Sequence, residues 1–451
     1  MDSVDSDKDS SSFGDKTEAE EEDFFDEDTP PPPARYEEDI NLRNMDADAI
    51  KVIRRLNRSG HTAYLVGGGV RDLLLDKTPK DFDVATSARP EEVRRLFRNC
   101  RVIGRRFRLA HILFAGGKII ETATFRRDPG QSFEIIEGEV EVGYEHEEPP
   151  LILVPSPKDR GDDVDLLIRH DNVFGEPHED AIRRDFTING LFYDLENDEV
   201  IDYVGGVPDL KRQLIKTIGD PDIRLREDPI RILRAIKFSA RLDLGIDPEL
   251  YDAIVAHRTD LERAARPRVL EEILRLLRGG AAHRSMWLTW DTGVMAVILP
   301  ELAVWLDDDA DGSIEFWRRL DAIDRRTYED NRPSDAVLLS ALLVGPIVEY
   351  LEDAVDSSSA FEDFFEEMAL RLNFPRRLKD RIRSIVTAQG RLTKGKLGSL
   401  PRRDFFADAA IHFAIECEAH GEEIPEWAID PDVAEASDEP RRPRRRRRRR
   451  R

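Results

Sequence analysis

The sequence predicts an α+β chain, with an α/β head of about 160 residues followed by an all-α region of about 220. Three observations carry this expectation. "TAYLVGGGVRD" (62–72) is a short β-rich run that enters a glycine turn and then a helical pattern. "LAHILFAGGKIIETATF" (109–125) holds two β-rich runs joined by Gly116-Gly117, which reads as a hairpin. From Asp180 to about Trp427 the apolar spacing is mostly helical.

Residues 1–45 read as a disordered acidic arm. Residues 1–40 hold 16 acidic and 3 basic side chains and a "PPPP" run, too little apolar material to order itself. The head spans 46–205. It opens with the helical "DADAIKVIRRLNRSG", continues through the strand "TAYLV", and includes the helix "RPEEVRRLFRN" with Pro90 in its first turn. Residues 127–170, rich in acid, Pro and Gly, read as an insertion or flap, with one strand pair expected near "FEIIEGEVEVGY". A helical neck (206–280) and a helical body (281–430) follow, and 431–451 read as a disordered Arg-rich tail. That tail ends in "RRPRRRRRRRR". It suits either a phosphate-backbone anchor or an extension folded back on the acidic arm, so the net charge of -24 does not exclude nucleic acid. Two cysteines are too few for a disulfide framework or a cysteine-ligated zinc site, and they suit a reducing compartment. The longest apolar run, "LLSALLVGPIV", is about half the ~20 residues of a membrane span. A cytoplasmic protein is expected.

The head carries the chemistry. Alternation along "DFDV" aims Asp81 and Asp83 one way and Phe82 and Val84 towards the core. Two such carboxylates repel unless a cation lies between them, and Mg²⁺ favours carboxylate and phosphate oxygens. A solvated strand face is the plainer alternative. Upstream, Gly67 and Gly68 let backbone N–H groups approach a phosphate, and Arg71 adds a charge. Neither a Walker loop nor a dinucleotide fingerprint is present. Glu121, in the second arm of the hairpin, is a candidate third carboxylate or an edge-strand gatekeeper. In "EDAIRRDFTINGLFYD", Asp185 and Asn189 share a face if the segment is helical. There Arg184 suits a triphosphate, Asp185 would order the arginine or ribose, and Asn189 suits sugar hydroxyls.

"REDPIRILRAIKFSARL" gives the sharpest inference. Wound as one helix, it places Ile232, Leu233, Ile236 and Ala240 on one side and Asp228, Arg231, Arg234 and Arg241 towards the other. Asp228 offers an acceptor and Arg231 a donor. That pair matches the amino donor and ring acceptor shared by adenine and cytosine. A surface ion pair is the alternative.

Together these residues resemble the nucleotidyltransferases with a DNA polymerase β-like head. More narrowly, they resemble the bacterial class II group that holds CCA-adding enzymes and poly(A) polymerases. The resemblance spans roughly residues 48–275 and rests on "LVGGGVRD", "DFD", "RRDFTIN" and "EDPIRILR" in that order. It implies a mixed-sheet head followed by all-α neck and body. It implies that Asp81 and Asp83 bind catalytic Mg²⁺. Gly68, Arg71 and Arg184 would contact the nucleotide, with Arg231 and Arg234 doing so from the body side. It leaves open whether Asp185 or Glu121 completes the carboxylate set.

"LFRNCRVIGRRFRLAH" and the Arg tail resemble the poly(A) polymerase pattern more than the CCA-adding one. The implied partners are therefore ATP and RNA 3′ ends, with Arg105, Arg106, Arg108, Arg444 and Arg448 on the RNA and no protein partner named. The implied reaction is template-independent addition of AMP with release of pyrophosphate. CCA addition is the alternative. The 127–170 insertion and the acidic arm depart from the family pattern, and a His-Asp phosphohydrolase domain is not expected: "RHDN" (169–172) is a lone pair.

Overall fold

The computed structural model describes residues 30–38, 40–104, 108–128, 132–138, 151–156, 173–308, 310–329, 331–352 and 354–430. The head is built on twelve strands: β1 (Ala34–Tyr36), β2 (Ala63–Val66), β3 (Asp83–Thr86), β4 (Cys100–Ile103), β5 (Leu109–Leu113), β6 (Ile119–Thr124), β7 (Arg126–Arg127), β8 (Phe133–Glu137), β9 (Leu151–Pro155), β10 (Val173–Phe174), β11 (Phe192–Asp194) and β12 (Glu199–Asp202). Eight of them form one sheet in the order β1-β12-β11-β2-β3-β6-β5-β4. The sheet is mixed: β3 runs parallel to β6, and its other pairs are antiparallel.

Alternation along the strands feeds two cores. Leu65, Val84 and Ile112 pack with Val52, Ile53 and Leu56 of α1 (Ala47–Arg58), Val70 of α2 (Gly68–Leu74) and Val93 of α3 (Pro90–Leu96). Val66, Ala85 and Phe192 point to the opposite face, towards Phe125 and Ala181 of α4 (Pro177–Ile182). Asp46 caps α1, accepting from the N–H groups of Asp48 (2.7 Å) and Ala49 (3.3 Å).

The stretch expected as the neck holds α5 (Gly206–Lys211), α6 (Pro221–Glu227), α7 (Ile230–Leu242), α8 (Pro248–His257) and α9 (Arg266–Arg278). The body follows with α10 (Ala282–Asp291), α11 (Val294–Ile298), α12 (Pro300–Asp308), α13 (Ala310–Tyr328), α14 (Asp335–Glu352), α15 (Ser357–Leu372), α16 (Arg376–Leu392), α17 (Phe406–His420) and α18 (Glu426–Ile429). One apolar core runs from Phe186 through neck and body to Ile415. Among the described residues, no helix is long and apolar enough to cross a membrane.

One expectation needs correction and another gains its partner strand. The arm read as disordered to residue 45 contains β1, which pairs antiparallel with β12 at the sheet edge, with Tyr36 packed on the head core. An edge strand needs only one partner and one anchoring side chain, so its signal lies below the composition of the arm. In the 127–170 segment, the strand pair expected near "FEIIEGEVEVGY" has "FEIIE" (β8) as one member. It pairs with β9, "LILVP", whose Leu153 is buried and whose backbone N–H donates to the Tyr203 carbonyl. Burial of Leu153 sets the pairing.

Candidate active site

The glycine turn joins β2 to α2. Gly67 has φ +67° and ψ -130°, a conformation close to glycine-only, and its N–H donates to the Leu191 carbonyl (3.0 Å). A Cβ there would lie 2.7 Å from Nη1 of Arg184. Gly67→Ala is therefore expected to cost about 1–3 kcal/mol of stability through backbone strain. By displacing Arg184 it should also weaken, about tenfold, binding of the triphosphate expected there from sequence. Thermal denaturation and nucleotide titration check the two effects separately.

Asp83 is the first residue of β3, opposite Val66 of β2, and Asp81 precedes the strand. Both carboxylates line one cleft, while Phe82 packs on the head core. Val84 pairs with Thr122, so Asp83, the first residue of β3, and Glu121, the third of β6, precede that pair side by side. Asp83 is exposed to the cleft, yet the protein packed around its carboxyl, with the Glu121 and Asp81 charges, pushes it up to about 6, against the pull of Arg184. Glu121 is exposed, 3.4 Å from His111 Nε2, and does not line the cleft itself. Among the described residues, no three His, Cys, Asp or Glu side chains form a preassembled metal cage. Asp81 and Asp83 instead form a two-carboxylate floor whose mutual repulsion a divalent cation would relieve. That fits Mg²⁺, which keeps water and phosphate in its remaining positions.

The predicted arginines are tied into a network rather than left free. Arg71 is 2% exposed. It donates to Asp72 Oδ1 (2.9 and 2.6 Å) and to Asn189 Oδ1 (2.5 Å), and stacks on Phe238 of α7. Asn189 in turn donates to Asp185 Oδ1 (3.0 Å), and Arg234 of α7 donates to Asp185 Oδ2 (2.6 Å). Arg241, two turns on, reaches Asp72 Oδ2 (3.4 Å). The chain of contacts closes on itself through α7 and clamps neck to head. Burial opposes ionisation of Asp185, but the Arg234 charge and the hydrogen bonds from Asn189 and Arg234 hold its carboxyl far below the usual range. Asp185 lines the cleft, yet its oxygens are committed here. Glu121, not Asp185, stands beside Asp83. Nor are Asp185 and Asn189 on one α-helix: a 3-10 turn (Thr187–Asn189) brings them together. The Asn189 amide, expected to face sugar hydroxyls, is used at both ends by protein partners.

Arg184 donates to Asp180 Oδ2 (3.2 and 2.9 Å) and to the Asn189 carbonyl (3.0 Å), and lines the cleft beside Gly67. Asp180 is buried and also binds Arg183. Arg224 of α6, 1% exposed, donates to the carbonyls of Ile182 (3.4 Å), Arg183 (3.2 Å) and Arg184 (2.7 Å). It pins the segment carrying Arg184 and Asp185 from the neck side.

The acceptor–donor pair read for base selection is not preformed. Asp228 ends α6, and α7 starts only at Ile230, so the two residues do not share a helix. Asp228 receives the Arg268 fork from α9 (3.2 and 2.9 Å). Arg231, 6% exposed, turns inward to the Arg224 carbonyl (2.7 Å) and Glu227 (3.4 Å). Both still line the cleft.

The cleft encloses about 1160 Å³ between head, neck and α9. This exceeds the roughly 300–1,000 Å³ usual for one small ligand. It holds Gly67, Gly68, Arg71, Asp81, Asp83, Arg184, Asp185, Asn189, Asp228, Arg231 and Arg234 together. It also takes in Asp72, Lys80, Lys237, Phe238, Arg241, Arg268, Arg275 and Arg278, none of them among the residues expected from sequence to form the site. Lys80 had a signal, since it directly precedes Asp81. So did α9, whose arginines recur seven and three residues apart on its polar side. Of the residues expected to bind RNA, Arg108 is exposed, paired with Glu91 (2.7 Å) and outside the cleft. Arg105, Arg106, Arg444 and Arg448 lie outside the described residues.

Residues 63–216 match the poly A polymerase head domain, and residues 243–306 match the probable RNA and SrmB-binding site of polymerase A. Poly(A) polymerase I of Escherichia coli O157:H7 is 39% identical over 371 residues, covering 80% of this chain and 75% of the relative. That of Haemophilus influenzae is 35% identical over 383 residues, covering 81% and 78%. A CCA-adding enzyme of Lactobacillus helveticus is 34% identical over 244 residues, covering 54% and 53%. In fold, the chain is similar to the Bacillus stearothermophilus CCA-adding enzyme in complex with CTP, at TM-score 0.60 and 24% identity over 86% of this chain and 82% of that one. The sheet, the cleft and the poly(A) polymerase likeness over four fifths of the sequence agree, and the chain belongs to the bacterial poly(A) polymerase family, a family of nucleotidyltransferases.

Proposed function

We propose that this chain adds AMP from ATP to RNA 3′ ends without a template, releasing pyrophosphate. The observation that supports it best is the convergence, in one cleft, of the Asp81/Asp83 floor, the Gly67–Gly68 turn with Arg184, and the Asp228 and Arg231 side chains. The turn offers backbone N–H groups and Arg184 a charge for the triphosphate. Asp81 and Asp83 would hold Mg²⁺, which supplies activation of the 3′ hydroxyl and neutralisation of the leaving pyrophosphate. The remaining work is positional. Arg224 and the Asp185–Arg234 pair hold the nucleotide-binding segment against the neck. Asp228 and Arg231 meet the base once their present partners give way. No nucleophilic Ser, Cys or His is required, and none of the described residues lining the cleft is of those types. ATP and RNA ends are cytoplasmic substrates, and there we place the activity.

CCA addition uses the same base edge, and CCA-adding relatives match 54% of the chain. One assay separates the two. Purified protein is given ATP or CTP with an unrelated RNA or with tRNA lacking its 3′ end. A long ATP-dependent ladder on both substrates is the expected result. Addition that requires CTP and stops after three nucleotides on tRNA alone would overturn the reading.

A further inference from the structure

The stretch "LFRNCRVIGRRFRLAH" ends on His111, which does not line the cleft. Sheet register nonetheless ties it to the carboxylates. On β5, His111 lies directly opposite Glu121 of β6 in an antiparallel pair. On the other edge of β6, the parallel pairing of Val84 with Thr122 sets Asp83 of β3 beside Glu121. Neighbouring strands run about 4.8 Å apart, and residues level with one another share a face of the sheet. His111, Glu121 and Asp83 therefore form one row across three strands. Burial agrees, since Ala110, Ile112, Ile120 and Val84 alternate with them and enter the core on the opposite face. Within the row, His111 Nε2 stands 3.4 Å from Glu121 Oε1. Among the described residues, His111 is the only side chain paired with Glu121. The Glu121 side chain is 50% exposed and that of His111 only 17%. A half-exposed glutamate has several soft torsions and many accessible rotamers, whereas a mostly buried imidazole ring has few. The histidine is the stiffer partner and selects where the carboxylate stands. A cross-strand pair of this exposure adds little to stability. What it fixes is the place of a negative charge, one strand away from Asp83.

We infer that His111 is a positioning residue for nucleotidyl transfer: it holds the Glu121 carboxylate beside Asp83, where its charge bears on the cation that Asp81 and Asp83 would bind. The inference rests on the proposed Mg²⁺ floor of Asp81 and Asp83 and adds a residue to it. His111 itself touches neither nucleotide nor metal. It acts through Glu121, as outer groups that orient the carboxylates of a metal site do.

The test uses the full-length protein as H111L, H111Q, E121Q and H111L/E121Q. Mn²⁺ alone is titrated into the nucleotide-free protein, and free Mn²⁺ is followed by its electron paramagnetic resonance signal. The kcat and the KM for ATP are measured on an oligoadenylate primer, and melting temperatures are recorded. H111L is expected to bind Mn²⁺ about tenfold more weakly and to lose about tenfold in kcat, with KM for ATP within about twofold of wild type. Tenfold corresponds to about 1.4 kcal/mol. H111Q keeps an N–H donor at comparable reach and should restore both quantities. Because His111 acts through Glu121, H111L/E121Q should be no worse than E121Q alone. Wild-type Mn²⁺ affinity in H111L or in E121Q would overturn the inference. So would losses that multiply in the double variant, since His111 would then act independently of Glu121. Losses that track a fall in melting temperature and that H111Q does not restore would make the histidine merely structural and overturn it too. Because the metal arm needs no turnover, its outcome stands whether or not the wild-type protein elongates RNA with ATP.

Discussion

Asp83→Asn is expected to lower AMP transfer by at least about 10³-fold while leaving the protein folded, since charge neutralisation at the carboxylate floor carries most of the proposed catalysis. The fold should not suffer, because the Asp83 carboxylate is a strained charge. Its folded pKa of about 6 lies above the usual 3.8, so the folded state binds the proton more tightly than the unfolded one. Native stability in metal-free buffer therefore falls as pH rises from about 4 to about 6, and stays at the lower level above that. Asn carries no such charge. At pH 7.5 in chelator the variant should melt at or above the wild-type temperature, and the gap should close below about pH 4. Activity assays and melting curves across pH check the two halves. Retained transfer by the variant, or a melting point well below wild type at pH 7.5, would count against this account.

Arg234→Met should be the most damaging change outside the carboxylate floor. Arg234 meets Asp185 at 2.6 Å, and the Asp185 side chain is 10% exposed. Removing the arginine leaves a nearly buried carboxylate with only the Asn189 amide and the Phe186 N–H to hold it. Breaking such a pair from one side costs on the order of 3 kcal/mol. It also opens the ring that fixes α7 against the head, so the residues proposed to meet the base drift from the carboxylates. A displacement of about 1 Å is enough to cost about 10²-fold in rate. The double variant Arg234→Met/Asp185→Asn removes both charges. It should recover most of the stability but little of the activity. That split between melting temperature and kcat distinguishes a positioning clamp from a merely structural pair. Recovery of activity along with stability would refute the clamp.

Much of the head was legible in the linear chain because its signals are local. The run from β2 through the glycine turn into α2 is continuous, and its conformations depend on its own side chains. The hairpin of β5 and β6 is set by alternation and two glycines. Phe82 packs on the core while Asp81 and Asp83 line one cleft, although Asp81 lies just before the strand, and Glu121 lies in the strand that runs beside Asp83. The edge strand β1 and the pairing of β8 with β9 were not legible. β1 depends on β12, far along the chain, and β9 on the Tyr203 carbonyl that the Leu153 N–H reaches.

The sequence by itself determined which chemical groups this protein has at its disposal and in what order the strands, turns and helices present them. Only the tertiary structure decided which charge each group faces. Arg71 pairs with Asn189 across 118 residues, Asp185 with Arg234 across 49, and Asp228 with Arg268 across 40. Read as neighbours on one helix, Asp228 and Arg231 look like a ready-made pair. In the fold each has a closer partner elsewhere. The physical reason is that long polar side chains sweep several ångströms, and the Coulomb and hydrogen-bond terms that choose among partners fall away steeply with distance and exposure. Helix periodicity sets the direction in which such a side chain leaves the backbone. Packing of head against neck sets where it ends.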